Sequence, residues 1–298
     1  MTQVEHPRGL MLWIAGARPR TLPAAVVPVA VGAASAAGVE SPIWWRVLPA
    51  LAVSLALQVG VNYANDYSDG VKGTDADRVG PLRLVGSGLV SPPAVRRAAF
   101  AALGVAGLAG LVLAAVTTWW LVAVGAAAMV AAWTYTGGPR PYGYAGLGEI
   151  FVFVFFGLVA TIGTEYVIAE SISAAAVAAS IAVGAVACAL LVVNNLRDRE
   201  GDARSGKITL AVRLGDRATR AFFVGLAALT GGGVVVAARV AGGPALLGLI
   251  GVAALAPAVR TVLAGAHGRS LVEVLAMVGR AQLVLGATLA TGLALAVS

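Results

Sequence analysis

Apolar residues run in blocks of about 20 along the whole chain, separated by short polar stretches. Each block is long enough to cross a hydrocarbon core of about 30 Å as a helix, at about 1.5 Å of rise per residue. Nine such spans are predicted, near residues 21–38, 47–67, 94–116, 119–136, 147–169, 174–196, 219–238, 244–264 and 279–297. The pattern therefore predicts an all-α integral membrane protein of nine transmembrane helices. No Pro/Ser-rich linker or low-complexity segment interrupts it, so a single domain over 1–298 is expected. The second and sixth spans end in acidic patches 132 residues apart, which suggests two parallel four-helix halves followed by a ninth helix.

Composition agrees: 59% of the 298 residues are hydrophobic and only 12% are charged. Of the 38 glycines, 20 fall in the spans, where small residues let transmembrane helices approach closely. Charge placement adds an orientation. Of the 21 Lys and Arg residues, 19 fall on the side holding the N-terminus and the 2/3, 4/5, 6/7 and 8/9 loops, leaving only Arg46 and Arg239 opposite. Basic loops stay in the cytoplasm, so the N-terminus and both patches are expected there and the C-terminus outside, in a cell membrane. Trp44, Trp45, Trp119 and Trp120 then form an aromatic belt at the outer interface. With no soluble basic domain, the net charge of +7 points to topology and anion binding rather than to nucleic acid. Cys188 is the only cysteine and lies inside a span, which excludes a disulfide within the chain and a thiolate metal site. Residues 1–20, with Glu5 and His6 ahead of Trp13, lack a cleavable-signal layout, so the first span is expected to be retained.

Only 14 residues are acidic, yet four lie within positions 66–77 and three within 198–202. Asn62, Asp66 and Asp69 fall at i, i+4 and i+7, and Asn194, Asp198 and Asp202 at i, i+4 and i+8, which places each set on one helical face. A hard divalent cation such as Mg²⁺ takes oxygen ligands, and one or two carboxylates with substrate phosphates commonly hold it. Two facing carboxylate pairs suit two such ions with a diphosphate between them. Each patch is followed by cations: Lys72, Arg78 and Arg83 after the first, and Arg204, Lys207 and Arg213 after the second. Arg18 and Arg20 open the first span on the same side. The chain has 19 Arg and only two Lys, and those two, Lys72 and Lys207, stand one in each patch. An ammonium is a compact point charge, unlike the planar guanidinium, which suggests a phosphate role for both. Asp75, Asp77 and Glu200 read equally well as solvated loop charge. His6 and His267 lie outside both patches, so a histidine base is not expected.

With these residues the chain resembles the UbiA superfamily of intramembrane prenyltransferases. The resembling segments are RPRTLP (18–23), NYANDYSDGVKGTD (62–75), DRVGPLR (77–83), YTGGP (135–139), GLGE (146–149) and NNLRDREGDARSGKITLAVRLG (194–215). The pieces GPLR and GLGE point to the branch that prenylates 1,4-dihydroxy-2-naphthoate. The resemblance implies nine helices around a polar cavity, capped on the cytoplasmic side by the 2/3 and 6/7 loops. It implies Mg²⁺ carried by Asp66, Asp69, Asp198 and Asp202, supported by Asn62 and Asn195, with Lys207 in the catalytic set. Asn65, Lys72, Arg20, Arg78, Arg83 and Arg204 join the expected substrate-binding set, as do Tyr135 and Glu149, which suit orienting the acceptor. Arg83 or Arg140 suits its carboxylate. A D-x-x-x-D spacing in the first patch would land on Gly70, whereas Asp69 follows the naphthoate branch. The implied reaction is dissociative. Metal ions, Lys and Arg neutralise the leaving diphosphate of a polyprenyl donor, the acceptor ring attacks the allyl cation, and its carboxylate is lost. A 4-hydroxybenzoate or other aromatic acceptor is the alternative within the superfamily. An ion-coupled transporter is the alternative outside it; its carboxylates would lie near the membrane midplane, not at helix ends.

Overall fold

The computed structural model describes residues 7–73 and 82–296, and every regular element among them is helical. The chain runs through α1 (Leu10–Ala17), α2 (Pro23–Ser35), α3 (Val47–Lys72), α4 (Pro92–Val116) and α5 (Trp120–Thr134). It continues with α6 (Gly148–Ala169), α7 (Ala174–Arg204), α8 (Leu210–Ala241), α9 (Gly243–Leu263) and α10 (Arg269–Leu295). Seven of these, α3, α4 and α6 to α10, are long and apolar enough to cross a membrane. The segments Leu10–Thr21 and Pro23–Gly38 meet at a 54° bend and make an eighth candidate if they count as one span. Arg18 at the bend adopts a left-handed φ of 55°, and Pro19 and Pro23 open new helical turns on either side, where a missing N–H costs nothing. Helix α5 is apolar but has only 15 residues.

Helix α7 is the axis of the bundle. Within its apolar stretch 78% of residues are buried by other helices, against 28–44% for the other six long spans, so it contacts protein where they contact lipid. Its face is mainly alanine, and backbones come close around it: a Cβ added at Gly157 would lie 2.5 Å from the Cα of Gly184. Its start is fixed by Ser173, whose hydroxyl caps the Ala176 N–H while its own N–H and hydroxyl are held by the buried Glu165 carboxylate.

Two helices begin earlier than hydropathy alone predicts. Helix α8 starts at Leu210 and α10 at Arg269, because their polar first turns are helical outside the apolar windows. The early part of α8 is interrupted at Gly215, whose φ of 75° only glycine adopts freely. One turn on, Arg220 is buried and donates to the carbonyls of Val262 and Ala266, tying α8 to the end of α9.

Candidate active site

Both acidic patches fall in the last two or three turns of long helices, α3 and α7, and point into the same end of the bundle. Beside them lies a cavity of about 970 Å³ whose wall takes Asn62, Asn65 and Asp69 from the first patch and Asn194, Asn195 and Lys207 from the second, while Asp66, Asp198 and Asp202 stay outside that wall. Asp69 and Ala50 both line it, 19 residues apart on α3, so the space extends about 28 Å along the helix at 1.5 Å per residue. Its deep part is lined by small and apolar residues such as Leu113, Leu121, Gly163 and Val167. Its mouth is cationic. Among the described residues, Arg18, Arg20, Arg83, Arg197, Lys207 and Arg280 line it against only Asp69 and Glu273. Focused positive charge at one end of an apolar tunnel suits an anionic head carrying a hydrocarbon tail.

The first patch does three different things. Asn62 is buried and donates from Nδ2 to the carbonyl of Ala17 (2.8 Å) and to Thr21 Oγ1 (2.9 Å), which holds the bend between α1 and α2 against α3. Asp66 is fully buried and is absent from the cavity wall; its two oxygens accept the N–H groups of Leu84 (2.7 Å) and Val85 (3.0 Å). It thus anchors the segment that follows the loop. A carboxylate offers about four lone-pair positions, so these two bonds leave capacity for a further partner. Asp69 lines the cavity, accepts the Tyr144 hydroxyl at 2.8 Å and lies 3.6 Å from the Arg83 guanidinium. Asn65, also in the wall, accepts from Thr136 Oγ1 at 2.8 Å. Lys72 donates to the Thr136 carbonyl at 2.7 Å, behind the wall.

In the second patch Asp198 is gripped by its neighbour Arg197 through two bonds of 2.7 Å, and the same guanidinium reaches Asn194 Oδ1 at 2.8 Å. Asp202 is buried and lies 3.7 Å from Lys207, whose N–H also donates to the Asp202 carbonyl. Asn195 lines the cavity and donates to Glu149 Oε1 at 2.9 Å, while Glu149 Oε2 is buried with no hydrogen-bond partner. Tyr135 lines the cavity edge-on to Tyr142. Burial pushes the Tyr142 phenol well above its usual range, so it stays neutral and donates to the Ala131 carbonyl. Arg140 and Arg204 are exposed and outside the wall. Asp75, Asp77 and Arg78 lie outside the described residues.

Four residue groups went unmarked in the sequence reading. Arg197 sits inside the NNLRD motif, where sequence alone gives it no role apart from Asp198, with which it pairs. Gln58 and Thr21 complete the hydrogen bonds around Asn62. Glu273 and Arg280 come from α10, a helix with no motif. Tyr144 contacts Asp69 and has both lysines at its ring, with Lys72 Nζ 4.6 Å and Lys207 Nζ 5.3 Å from the centroid.

The donor set at the mouth is carboxylate and amide oxygen, which fits a hard divalent cation. No three acidic, His or Cys side chains among the described residues converge as a ready-made cage. Mg²⁺ needs none where substrate phosphates complete its shell, so the residues fit that ion as a co-ligand of a bound diphosphate.

A multi-pass helical bundle with a cationic mouth on a long apolar tunnel defines an intramembrane protein built for an amphiphilic anion. The chain belongs to the UbiA prenyltransferase family, which it matches over residues 25–296. It is 50% identical over 283 residues to 1,4-dihydroxy-2-naphthoate octaprenyltransferase of Mycobacterium tuberculosis, covering 95% of this chain and 96% of that protein. It is 40% identical over 218 residues to the protein of the same name from Escherichia coli, covering 68% of each. The fold is shared with a UbiA homologue from Aeropyrum pernix, at a TM-score of 0.67 and 15% identity over 89% of this chain and 96% of that one. It is also shared with a homologue from Archaeoglobus fulgidus solved with DMAPP and Mg²⁺, at a TM-score of 0.58 and 15% identity over 93% and 98% of the two chains.

Proposed function

We propose that this protein transfers a polyprenyl group from a polyprenyl diphosphate to the ring of 1,4-dihydroxy-2-naphthoate with loss of the ring carboxylate, giving demethylmenaquinol, in a Mg²⁺-dependent reaction. The observation that carries this reading is one cavity with six cationic side chains at its mouth and an apolar tunnel about 28 Å deep behind them. The names of the relatives at 50% and 40% identity support the acceptor.

Lys207, Arg18 and Arg197 bind the diphosphate, and Arg20 stands at the same mouth. Asp69, Asp198 and Asp202 would hold Mg²⁺, with Asp66 sharing its remaining lone pairs; the two patches suit two ions bound together with the diphosphate. Bound there, the metal neutralises charge that develops on the leaving oxygens. The tunnel takes the prenyl tail and keeps water from the allylic carbon, whose positive charge builds as the C–O bond stretches. Phe151, Phe155 and Phe156 present aromatic surface to that space. Asn195 and Glu149, with Tyr135, orient the acceptor ring, and Arg83 pairs with its carboxylate. Lys72 and Asn65 brace the first patch, Arg204 draws the anion from the surface, and Arg78 joins the substrate-binding set by its place in the motif.

The protein sits in the cell membrane as one domain of two parallel four-helix halves and a ninth helix, with α5 as the short span. The basic asymmetry supports a cytoplasmic N-terminus and cytoplasmic cap loops after α3 and α7, with the C-terminus outside. Membranes containing the protein, incubated with Mg²⁺, a polyprenyl diphosphate and either 1,4-dihydroxy-2-naphthoate or 4-hydroxybenzoate, test the reading. Pyrophosphate release and a lipid-soluble naphthoquinol are expected, and chelation of Mg²⁺ should stop both. Prenylation of hydroxybenzoate alone would overturn the acceptor, and no pyrophosphate release with either would overturn the reaction.

A further inference from the structure

We propose that Tyr144 is a positioning residue for the diphosphate site, holding both lysines at one ring and setting the orientation of Asp69; the assignment rests on the prenyl-transfer reading above. Tyr144 lies in the one-turn helix Tyr142–Ala145 between α5 and α6, and its contacts reach both acidic patches. Its hydroxyl donates to Asp69 Oδ1 at 2.8 Å, on α3. Its carbonyl accepts the N–H of Ile208, in the segment that follows α7. Its ring has Lys72 Nζ at 4.6 Å and Lys207 Nζ at 5.3 Å from the centroid, and these are the only lysines in the chain.

Two neighbouring ammonium groups repel each other, and the contacts that hold them elsewhere, Lys72 on the Thr136 carbonyl at 2.7 Å and Lys207 at 3.7 Å from Asp202, lie on different helix ends. The negative face of an aromatic ring attracts each ammonium, so both are oriented before any anion arrives. Diphosphate oxygens then draw Lys207, which lines the cavity, off the ring at little ordering cost, which is where preorganised sites gain affinity, while Lys72 stays on the Thr136 carbonyl. The hydroxyl acts separately. It fixes one oxygen of Asp69 while the other faces Arg83, so the cavity-lining carboxylate enters the metal shell in a set orientation. The loop that carries Tyr144 is itself tied to the end of α5. Gly143 donates to the Tyr135 carbonyl, and a Cβ at Gly143 would lie 2.5 Å from that oxygen.

Calorimetric titration of the full-length protein in detergent with inorganic pyrophosphate, first in EDTA and then with Mg²⁺, separates the two roles. Tyr144→Leu should weaken metal-free pyrophosphate binding about tenfold, the scale of two partly desolvated cation–π contacts. Tyr144→Phe, which keeps the ring, should bind within about twofold of wild type in EDTA, yet need several-fold more Mg²⁺ for half-maximal binding. Wild-type affinity in Tyr144→Leu, or an unchanged Mg²⁺ requirement in Tyr144→Phe, overturns the proposal; the second result decides alone if the leucine variant does not fold. Wild-type protein that binds no pyrophosphate under either condition overturns the prenyl-transfer reading itself, whereas wild-type binding with unaltered variants removes only Tyr144.

Discussion

Asp66→Ala would ordinarily be read as a test of metal binding, but the geometry gives it a second effect that appears without metal. The carboxylate is fully buried, and both of its oxygens accept backbone N–H groups from Leu84 and Val85. Removing it leaves two donors without acceptors inside protein, at about 1–3 kcal/mol each, and more where the lost acceptor carried charge. The local cost is then about 2–6 kcal/mol, borne by the segment around Leu84, a fully buried side chain that packs among Trp13, Tyr63 and Val95. An opening cheaper by that amount raises amide exchange at Leu84 and Val85 at least about 30-fold. Asp66→Asn keeps one acceptor oxygen and turns an N–H₂ toward the other donor, so it should recover part of the protection. Hydrogen exchange by mass spectrometry, in detergent with EDTA, reads this directly. Unchanged exchange at Leu84 and Val85 in Asp66→Ala would refute it, and would return Asp66 to a purely metal-binding part.

Other substitutions separate chemistry from structure more cleanly. Asp202→Asn leaves the carbonyl that receives the Lys207 N–H in place, so turnover should fall at least about 100-fold while the melting temperature moves by less than about 2 °C; both are measured on the same preparation. Gly157→Ala puts a methyl 2.5 Å from the Gly184 Cα and should lower stability by about 1–3 kcal/mol, seen in thermal unfolding, because α6 and α7 must part. Gly163 lines the tunnel with open space around its Cβ, so Gly163→Phe should raise KM for long polyprenyl donors and leave a ten-carbon donor nearly unaffected; equal effects on both would remove the tunnel as the site of the tail.

How far the sequence reaches is set by what each pattern physically encodes. Apolar blocks encode burial in lipid, so the long helices were legible, whereas the bend at Arg18 and the early start of α8 depend on contacts made by turns outside those blocks. Clustered acid against an uncharged background encodes a charged ligand, and both patches contribute residues to one cavity, though of their described carboxylates Asp69 alone reaches its wall. Within the first patch, however, helical periodicity was too coarse. Residues three apart are separated by about 60° around a helix, enough for Asp69 to face the cavity while Asp66 turns to the 82–90 segment. Spacing places side chains on a face, but it does not say which neighbour covers each edge of that face. The same limit hid Tyr144, Glu273 and Arg280, whose roles arise from pairing between distant segments. The two lysines stood out because the chain uses arginine everywhere else, and the aromatic ring that explains their company lies 72 residues beyond the first and 63 before the second. A bias in residue choice can thus mark a site from sequence alone, while the group that satisfies it becomes visible only once the loop between α5 and α6 is folded over both helix ends.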